Sequence, residues 1–215
     1  MSAIDLRPKQ KRSQVTHDKF LQSLQDALKV KYFEHISIKE LAEGAGVSVG
    51  TFYRRFENKE ALLPLLYDDF GRELSQWVDE LELIECETLE QQVLLMCQQT
   101  FDFLDSRRSV FRTIHLNARL HPDTIFSNPT LSRNETYNRL SKLLLKFTVT
   151  IAPSNVEQQA ADMVIYMLIN SLLDKILYPT LTPAIACSMS SAKFVEQLPK
   201  MLLGYLNQSF QQHSL

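Results

Sequence analysis

A short stretch near the start of the chain carries groups that proteins use to bind nucleic acids. Its residues are Thr51, Tyr53, Arg54 and Arg55. Hydroxyl and guanidinium groups donate hydrogen bonds to phosphates, arginine also pairs with guanine, and a threonine methyl group contacts thymine. On spacing alone, the same residues are also consistent with the solvated face of a helix. The segment that holds them must decide between these two interpretations.

That segment has the pattern of two short helices joined by a tight turn. Ser37 is a favourable N-cap, and Glu40 three residues later completes a capping box. Gly46 supplies the turn, since a left-handed backbone costs glycine little. Ser48 caps a second helix to about Phe56, short enough to lie in a DNA major groove. The first helix has one apolar face, formed by Ile38, Leu41, Ala42 and Ala45.

The stretch from Ile36 to Leu63 closely resembles the DNA-binding segment of the tetracycline-repressor (TetR/AcrR) family of bacterial regulators. Many positions match at fixed spacing, whereas the rest of the chain resembles the family in length, helicity and layout. The matching residues are Leu41-Ala42, Ala45-Gly46-Val47-Ser48, Gly50-Thr51-Phe52-Tyr53, Phe56 and Asn58-Lys59-Glu60-Ala61-Leu62-Leu63.

The resemblance implies that the helix from Ser48 to Phe56 is the recognition helix. Phe52 and Phe56 lie four residues apart and are expected to anchor it to the first helix of the chain. Ser37 and Lys59 begin other helices, where free N–H groups favour phosphate. Gly50 lacks a side chain, so the backbone can approach DNA closely. The full set of expected DNA contacts is Ser37, Ser48, Val49, Gly50, Thr51, Tyr53, Arg54, Arg55 and Lys59.

Composition and periodicity predict an all-α protein. Of the 215 residues 45% are hydrophobic, only 5 are glycine, and no long alternating segment suggests a sheet. About nine helices are expected: a three-helix amino-terminal head with the helix-turn-helix, then a carboxy-terminal ligand-binding and dimerisation bundle. The first helix is predicted over 14–31, and those after the helix-turn-helix over 59–83, 88–104, 109–120, 132–150, 153–178 and 191–211, with a loop at 121–131.

The charge is distributed unevenly along the chain. Residues 1–60 hold 11 Lys and Arg against 8 Asp and Glu, a net +3, whereas residues 61–215 hold 12 against 17, a net −5. This asymmetry suits a DNA-binding module joined to a body with another role. We therefore predict a basic flexible arm at 1–13, a helix-turn-helix DNA-binding domain at 14–58, and a ligand-binding and dimerisation domain at 59–215. The arm is either a solvated tail or a further DNA contact.

Two apolar helices in the body predict a homodimer. The helix Val156–Tyr178 is apolar nearly all round, and the helix Ser191–Gln211 has a broad apolar face, so each must be covered on more than one side. Pro199 is expected to kink the second helix or shift its start. The resemblance implies that these helices form a two-fold interface, so that two heads read a palindromic operator in double-stranded DNA. The alternative is that both helices are interior to a monomer.

The middle helices contain candidate residues for a small-molecule site between bundle helices. The resemblance implies a hydrophobic or amphipathic effector that releases a repressor from its operator. Core packing is the competing interpretation for each candidate. The candidates are Trp77, Met96, Phe101, Phe111, His115 and Tyr137.

Other classes of protein find little support. The sequence has no nucleophile–base, phosphate-loop or paired-carboxylate signature, so no enzymatic activity, cofactor or metal is expected. Three separated cysteines without a CxxC pair, no signal peptide and no apolar stretch of membrane-spanning length predict a cytoplasmic protein with reduced thiols. Two alternatives stay open: a DNA-binding regulator without ligand gating that acts through protein partners, and a helical small-molecule carrier.

Overall fold

The computed structural model describes residues 11–122, 133–148 and 152–211. These ranges contain nine α-helices and no β-strand, so the all-α prediction is confirmed. Short 3-10 turns occur at Phe33–His35, Lys59–Leu62 and Ala184–Ala186. The helices are α1 (Lys11–Leu28), α2 (Ile38–Gly44), α3 (Val49–Tyr53), α4 (Leu63–Glu82), α5 (Leu89–Ser106), α6 (Arg108–Leu120), α7 (Arg133–Leu145), α8 (Asn155–Leu177) and α9 (Ser191–Gln211).

Several helix ends differ from the predicted ones. α1 begins at Lys11, three residues early, because nothing in the sequence interrupts the helical pattern there; residues 1–10 of the predicted arm lie outside the described ranges. α7 ends at Leu145, earlier than the predicted end at 150: residues 146–148 are described and are not helical, whereas 149–150 are not described. α9 begins at Ser191 as predicted and continues through Pro199, so the proline does not shift its start. Of the predicted loop at 121–131, all but the first two residues lie outside the described part.

Side-chain caps explain why the helices begin where they do. Ser37 Oγ accepts from the Glu40 amide at 3.2 Å, and Glu40 Oε2 accepts from the Ser37 amide at 2.9 Å, the predicted capping box. Ser154 and Glu157 form a second box at the start of α8. Thr88 caps α5 through the Gln91 amide. The sequence also has a capping-box pattern at Ser132 and Glu135, but Ser132 lies outside the described residues.

The chain packs as two compact units. The first comprises residues up to Glu73 together with 109–132, and the second comprises 74–108 with 133–215, each as far as it is described. The boundary falls within α4, so this division differs from the predicted one after residue 58. A division of roles between a DNA-binding and a regulatory domain stays a prediction.

In the second unit, α8 packs against α5, α7 and α9. Its inward face consists of Ala160, Val164, Leu168, Leu172 and Ile176, all buried. Cys97 on α5 is also buried, and burial raises the pKa of its thiol to about 12, as expected for an inert structural cysteine. Among the helices described, none is long and apolar enough to cross a membrane.

Candidate nucleic-acid interface

A cluster of three phenylalanines holds α3 against α1. Phe20 of α1 lies 5.2 Å from Phe52 and 5.7 Å from Phe56 between ring centroids, both in edge-to-face geometry. Phe52 and Phe56 are 5.2 Å apart. Phe20 and Phe52 are completely buried. The predicted anchoring of α3 through Phe52 and Phe56 is therefore present, and it directs the opposite face of α3 outward.

The turn between α2 and α3 depends on two glycines for different reasons. Gly46 has φ = +67°, a conformation that L-residues with side chains rarely adopt. At Gly44 the constraint is space: a Cβ would lie 2.3 Å from Ser23 Oγ, which donates to the Leu41 carbonyl at 3.0 Å. A side chain at position 44 would therefore require Ser23 to move and to give up this hydrogen bond. The sequence pattern identified Gly46 but not Gly44.

The outward face of α3 carries the predicted DNA-binding groups. Tyr53 is 58% exposed, Arg54 and Gly50 are exposed, and Val49 is partly exposed. Arg55 is half-buried. The structure therefore brings these predicted contacts together on one surface. α3 itself ends at Tyr53, earlier than the predicted end at Phe56.

A ladder of hydrogen bonds orders the polar residues on this face. Ser48 Oγ lies 3.0 Å from Thr51 Oγ1 and accepts from the Thr51 amide at 3.2 Å. Arg54 Nη2 donates to Thr51 Oγ1 at 3.0 Å. These residues recur every three positions, so they lie on one side of α3. The ladder holds the guanidinium of Arg54 in place before any ligand arrives, which reduces the entropy lost on binding.

Lys59 lies in a different environment from the one expected. Its Nζ donates to the carbonyls of Phe33 and Glu34, both at 2.9 Å, and of Ile36 at 3.2 Å. The ammonium also lies 4.8 Å from the centre of the Phe33 ring. Because an ammonium has three N–H donors, all are occupied within the protein. Lys59 joins the turn before α4 to the turn before α2, a role that the sequence did not indicate.

Residues 32–66 match the model of the tetR family of bacterial regulatory proteins. The resemblance to the TetR family is confirmed. The match coincides with the helix-turn-helix and the start of α4, and it describes a family of regulators rather than enzymes. No curated protein sequence is significantly similar to the chain.

Solved structures extend the TetR-like fold to most of the chain. A TetR-family transcriptional regulator from Mesorhizobium loti has a TM-score of 0.65 at 16% identity, over 93% of this chain and 98% of that one. The fatty acid degradation regulator FadR from Bacillus halodurans has 0.58 at 19%, over 88% and 95%. The dihydroxyacetone kinase operon activator DhaS has 0.54 at 14%, over 90% and 97%. At these identities the likeness shows the fold alone.

The six predicted effector-binding residues do not lie in one unit of this TetR-like fold. Phe111 and His115 belong to the first unit, where Phe111 stacks on Phe70 with ring centroids 5.5 Å apart. The other four belong to the second unit, where Met96 is fully buried, Trp77 packs on Phe103, Phe101 is half-buried and Tyr137 is exposed. Their assignment to an effector site stays a prediction.

Two polar residues on α5 are buried, which the sequence did not indicate. Gln92 is 2% exposed and Thr100 is 5% exposed, and neither Gln92 Nε2 nor Thr100 Oγ1 has a hydrogen-bond partner among the described residues. Both lie four positions from the buried Met96, on one face of α5. A buried donor without a partner costs about 1 to 3 kcal/mol. These atoms are therefore candidates to bind a polar group of a ligand.

His115 should make stability depend on pH. Burial, with a smaller contribution from Arg119, lowers the pKa of His115 from 6.5 to about 4. The unfolded chain then binds a proton below pH 6.5 that the folded chain does not, so stability should fall as the pH falls from about 6.5 to 4. Urea unfolding of wild type and His115→Gln across this range should show a shallower loss for the variant. His121→Gln, at an exposed position, is the control; identical slopes in all three proteins would contradict the prediction.

Proposed function

We propose that this protein is a sequence-specific transcriptional regulator that acts as a homodimer on a palindromic operator in bacterial cytoplasm. The observation that carries the proposal is the exposed polar face of α3, held outward by the buried Phe20–Phe52–Phe56 cluster within a segment that matches the tetR family. A helix of this length, presented in this way, fits a major groove.

The chemistry of the face suggests a role for each of its residues. The half-exposed ring of Tyr53 can pack on a sugar while its hydroxyl donates to a phosphate, and Arg54 can pair with guanine or phosphate. Gly50 has no side chain, and a Cβ there would contact Ser48 Oγ at 3.8 Å, so the backbone of α3 can approach DNA more closely at this position. Ser37 and Ser48 cap helices whose free N–H groups favour phosphate. We assign no DNA contact to the side chain of Lys59, because its donors are already occupied.

Selection of genomic DNA fragments by the purified protein, at a stated salt concentration near physiological, tests the proposal. A recurring palindrome is expected, bound at least about a thousand-fold more tightly than random DNA.

Tyr53→Ala should weaken binding to this palindrome by about tenfold without lowering the melting temperature, since the ring is exposed. Val30→Ala, another exposed position in the first unit, is the control. No enriched sequence, or unchanged affinity in folded Tyr53→Ala, would oppose the assignment.

The dimer interface that we propose lies on α8 and α9. Met163, Tyr166 and Met167 project from α8 with substantial exposure, and Tyr166 is 62% exposed. Met201 and Tyr205 do the same on α9, and a Cβ at Gly204 would meet no atom within 4 Å. Large apolar side chains grouped on adjacent helices indicate a surface that a partner covers.

Loss of Tyr166 should weaken this dimer. Tyr166→Ala removes a large aromatic group from both copies of a symmetric interface, so the dimer dissociation constant should rise by at least about tenfold. Sedimentation equilibrium measures the change directly. Leu94→Ala, an exposed apolar residue on α5, should leave it unchanged. A wild-type protein that stays monomeric at micromolar concentration would contradict the proposed homodimer.

We further propose that the protein is a repressor whose effector combines an apolar body with a hydrogen-bonding group. The unpaired Gln92 and Thr100 beside Met96 support a polar anchor in an apolar surrounding. One fold relative is named for fatty acid degradation and another as an activator, so an activator is the second candidate.

Linkage requires an effector that weakens operator binding to bind more weakly itself when operator is present. A ligand panel, titrated with and without operator, should reveal this reciprocity; its absence would favour a regulator without gating, and ligand binding without DNA binding a carrier.

A further inference from the structure

A cleft in the second unit, where the chain passes from α8 to α9, is lined by a buried lysine. Lys175 on α8 is only 7% exposed. Its Nζ donates to the Cys187 carbonyl at 2.6 Å and lies 5.7 Å from the centre of the Phe194 ring. Among the described residues, no other acceptor is seen for this ammonium, so two of its three N–H donors remain available. A buried cation without a counter-charge is costly.

Lys175 lines two adjoining cavities that differ in charge. The smaller cavity, of about 260 Å³, also includes the carboxylate-bearing Asp174 and the amide-bearing Asn170. The larger, of about 450 Å³, has no acidic residue in its lining. Lys175 is the only charged residue there among the described lining, so the larger cavity is electropositive. It is lined by Lys175, Pro179, Thr180, Ile185, Cys187, Ser188, Met189, Ser190 and Ser191.

The start of α9 adds donors to the same cavity. Ser190 caps the helix: its Oγ accepts from the Lys193 amide at 3.3 Å, and its carbonyl accepts from the Phe194 amide at 2.9 Å. No acceptor is seen for the N–H groups of Ser191 and Ala192 in the described ranges. A helix start with free N–H groups favours an anion.

We propose that this larger cavity binds an anionic head group, a carboxylate or a phosphate, attached to an apolar chain. The Lys175 ammonium and the first N–H groups of α9 would bind the anion, with hydroxyls of Thr180 and Ser188 beside it. The half-exposed side chains of Ile185 and Met189 would cover the apolar part. This site is proposed independently of DNA binding and of the effector site on α5, because neither Gln92 nor Thr100 is among the residues that line the two cavities.

Two pairs of variants of the full-length protein test the site. Lys175→Met keeps the length of the side chain but removes its charge, and Lys193→Met removes an exposed charge at the same end of α9. Ser191→Pro removes one N–H at the first helical position, where proline is tolerated, and Ser191→Ala retains it. The probes are octanoate, octyl phosphate and neutral octanol, measured by titration calorimetry.

Wild type should bind octanoate or octyl phosphate at least about tenfold more tightly than octanol, since a charge-assisted hydrogen bond is about twice as strong as a neutral one. The tighter of the two anions identifies the head group. Lys175→Met and Ser191→Pro should each lose that preference, whereas Lys193→Met and Ser191→Ala keep it. Lys175→Met should fold, because replacing a buried charge by an apolar group is often neutral or stabilising. Equal affinity for octanol, no binding of either anion, or anion binding unaffected by both Lys175→Met and Ser191→Pro would overturn the proposal.

Discussion

Replacement of Phe52 by alanine is expected to lower the free energy of unfolding by about 3 to 5 kcal/mol, because it removes a buried aromatic ring and leaves a cavity. Phe52 contacts Phe20 and Phe56, and with Phe20 it is among the largest completely buried side chains. The surrounding side chains relax only partly into such a cavity, so α3 should lose its fixed position on α1. DNA binding should be lost with it. Urea unfolding and operator titration measure the two effects.

The neighbouring Tyr53 provides the matched control for this prediction. Both residues are aromatic and adjacent on α3, but Phe52 is buried and Tyr53 is 58% exposed. Alanine at Phe52 should therefore reduce stability and DNA affinity together, whereas alanine at Tyr53 should reduce affinity alone. A Phe52→Ala protein with wild-type stability would mean that the phenylalanine cluster does not hold the head together.

Local signals account for how well the sequence predicted the fold. Ser37 with Glu40, and Ser154 with Glu157, form capping boxes within four residues, and Gly46 adopts the positive φ that its place between two helices suggested. Such features depend on neighbouring residues and can be recognised in sequence. The phenylalanine anchors were also predictable, because a four-residue spacing places two side chains on one helix face.

Contacts between distant segments could not be predicted in the same way. Lys59 reaches a carbonyl 26 residues earlier, and Gly44 meets Ser23 of another helix. Neither leaves a periodic signal. The unpaired Gln92 and the buried Lys175 also looked like ordinary polar residues of helices, because only the packed structure shows that they are buried. For candidate sites, the sequence thus predicted the exposed face of α3, whereas the burial of the polar groups became apparent only in the folded structure.

Substitutions of Lys59 test whether this residue supports the fold, as its hydrogen bonds indicate, or contacts DNA, as the sequence predicted. Lys59→Met is expected to lower the free energy of unfolding by about 2 to 3 kcal/mol, because three backbone carbonyls lose a charged hydrogen-bond donor. Met has a similar length but no donor, so packing is largely retained. The turn before α2 should loosen, and operator affinity should fall as a consequence. Thermal unfolding and operator titration are measured on the same preparation.

Two further variants distinguish a structural lysine from a DNA contact. Lys39→Met removes a strongly exposed ammonium from α2 and should leave stability unchanged. Lys59→Arg retains the charge but replaces a compact ammonium by a planar fork, which cannot donate to the same three carbonyls. If Lys59 mainly supports the fold, both of its variants lose stability, because geometry matters as well as charge. If it mainly contacts phosphate, Lys59→Arg keeps DNA affinity and Lys59→Met loses affinity with unchanged stability, which would restore the original sequence-based prediction for this residue.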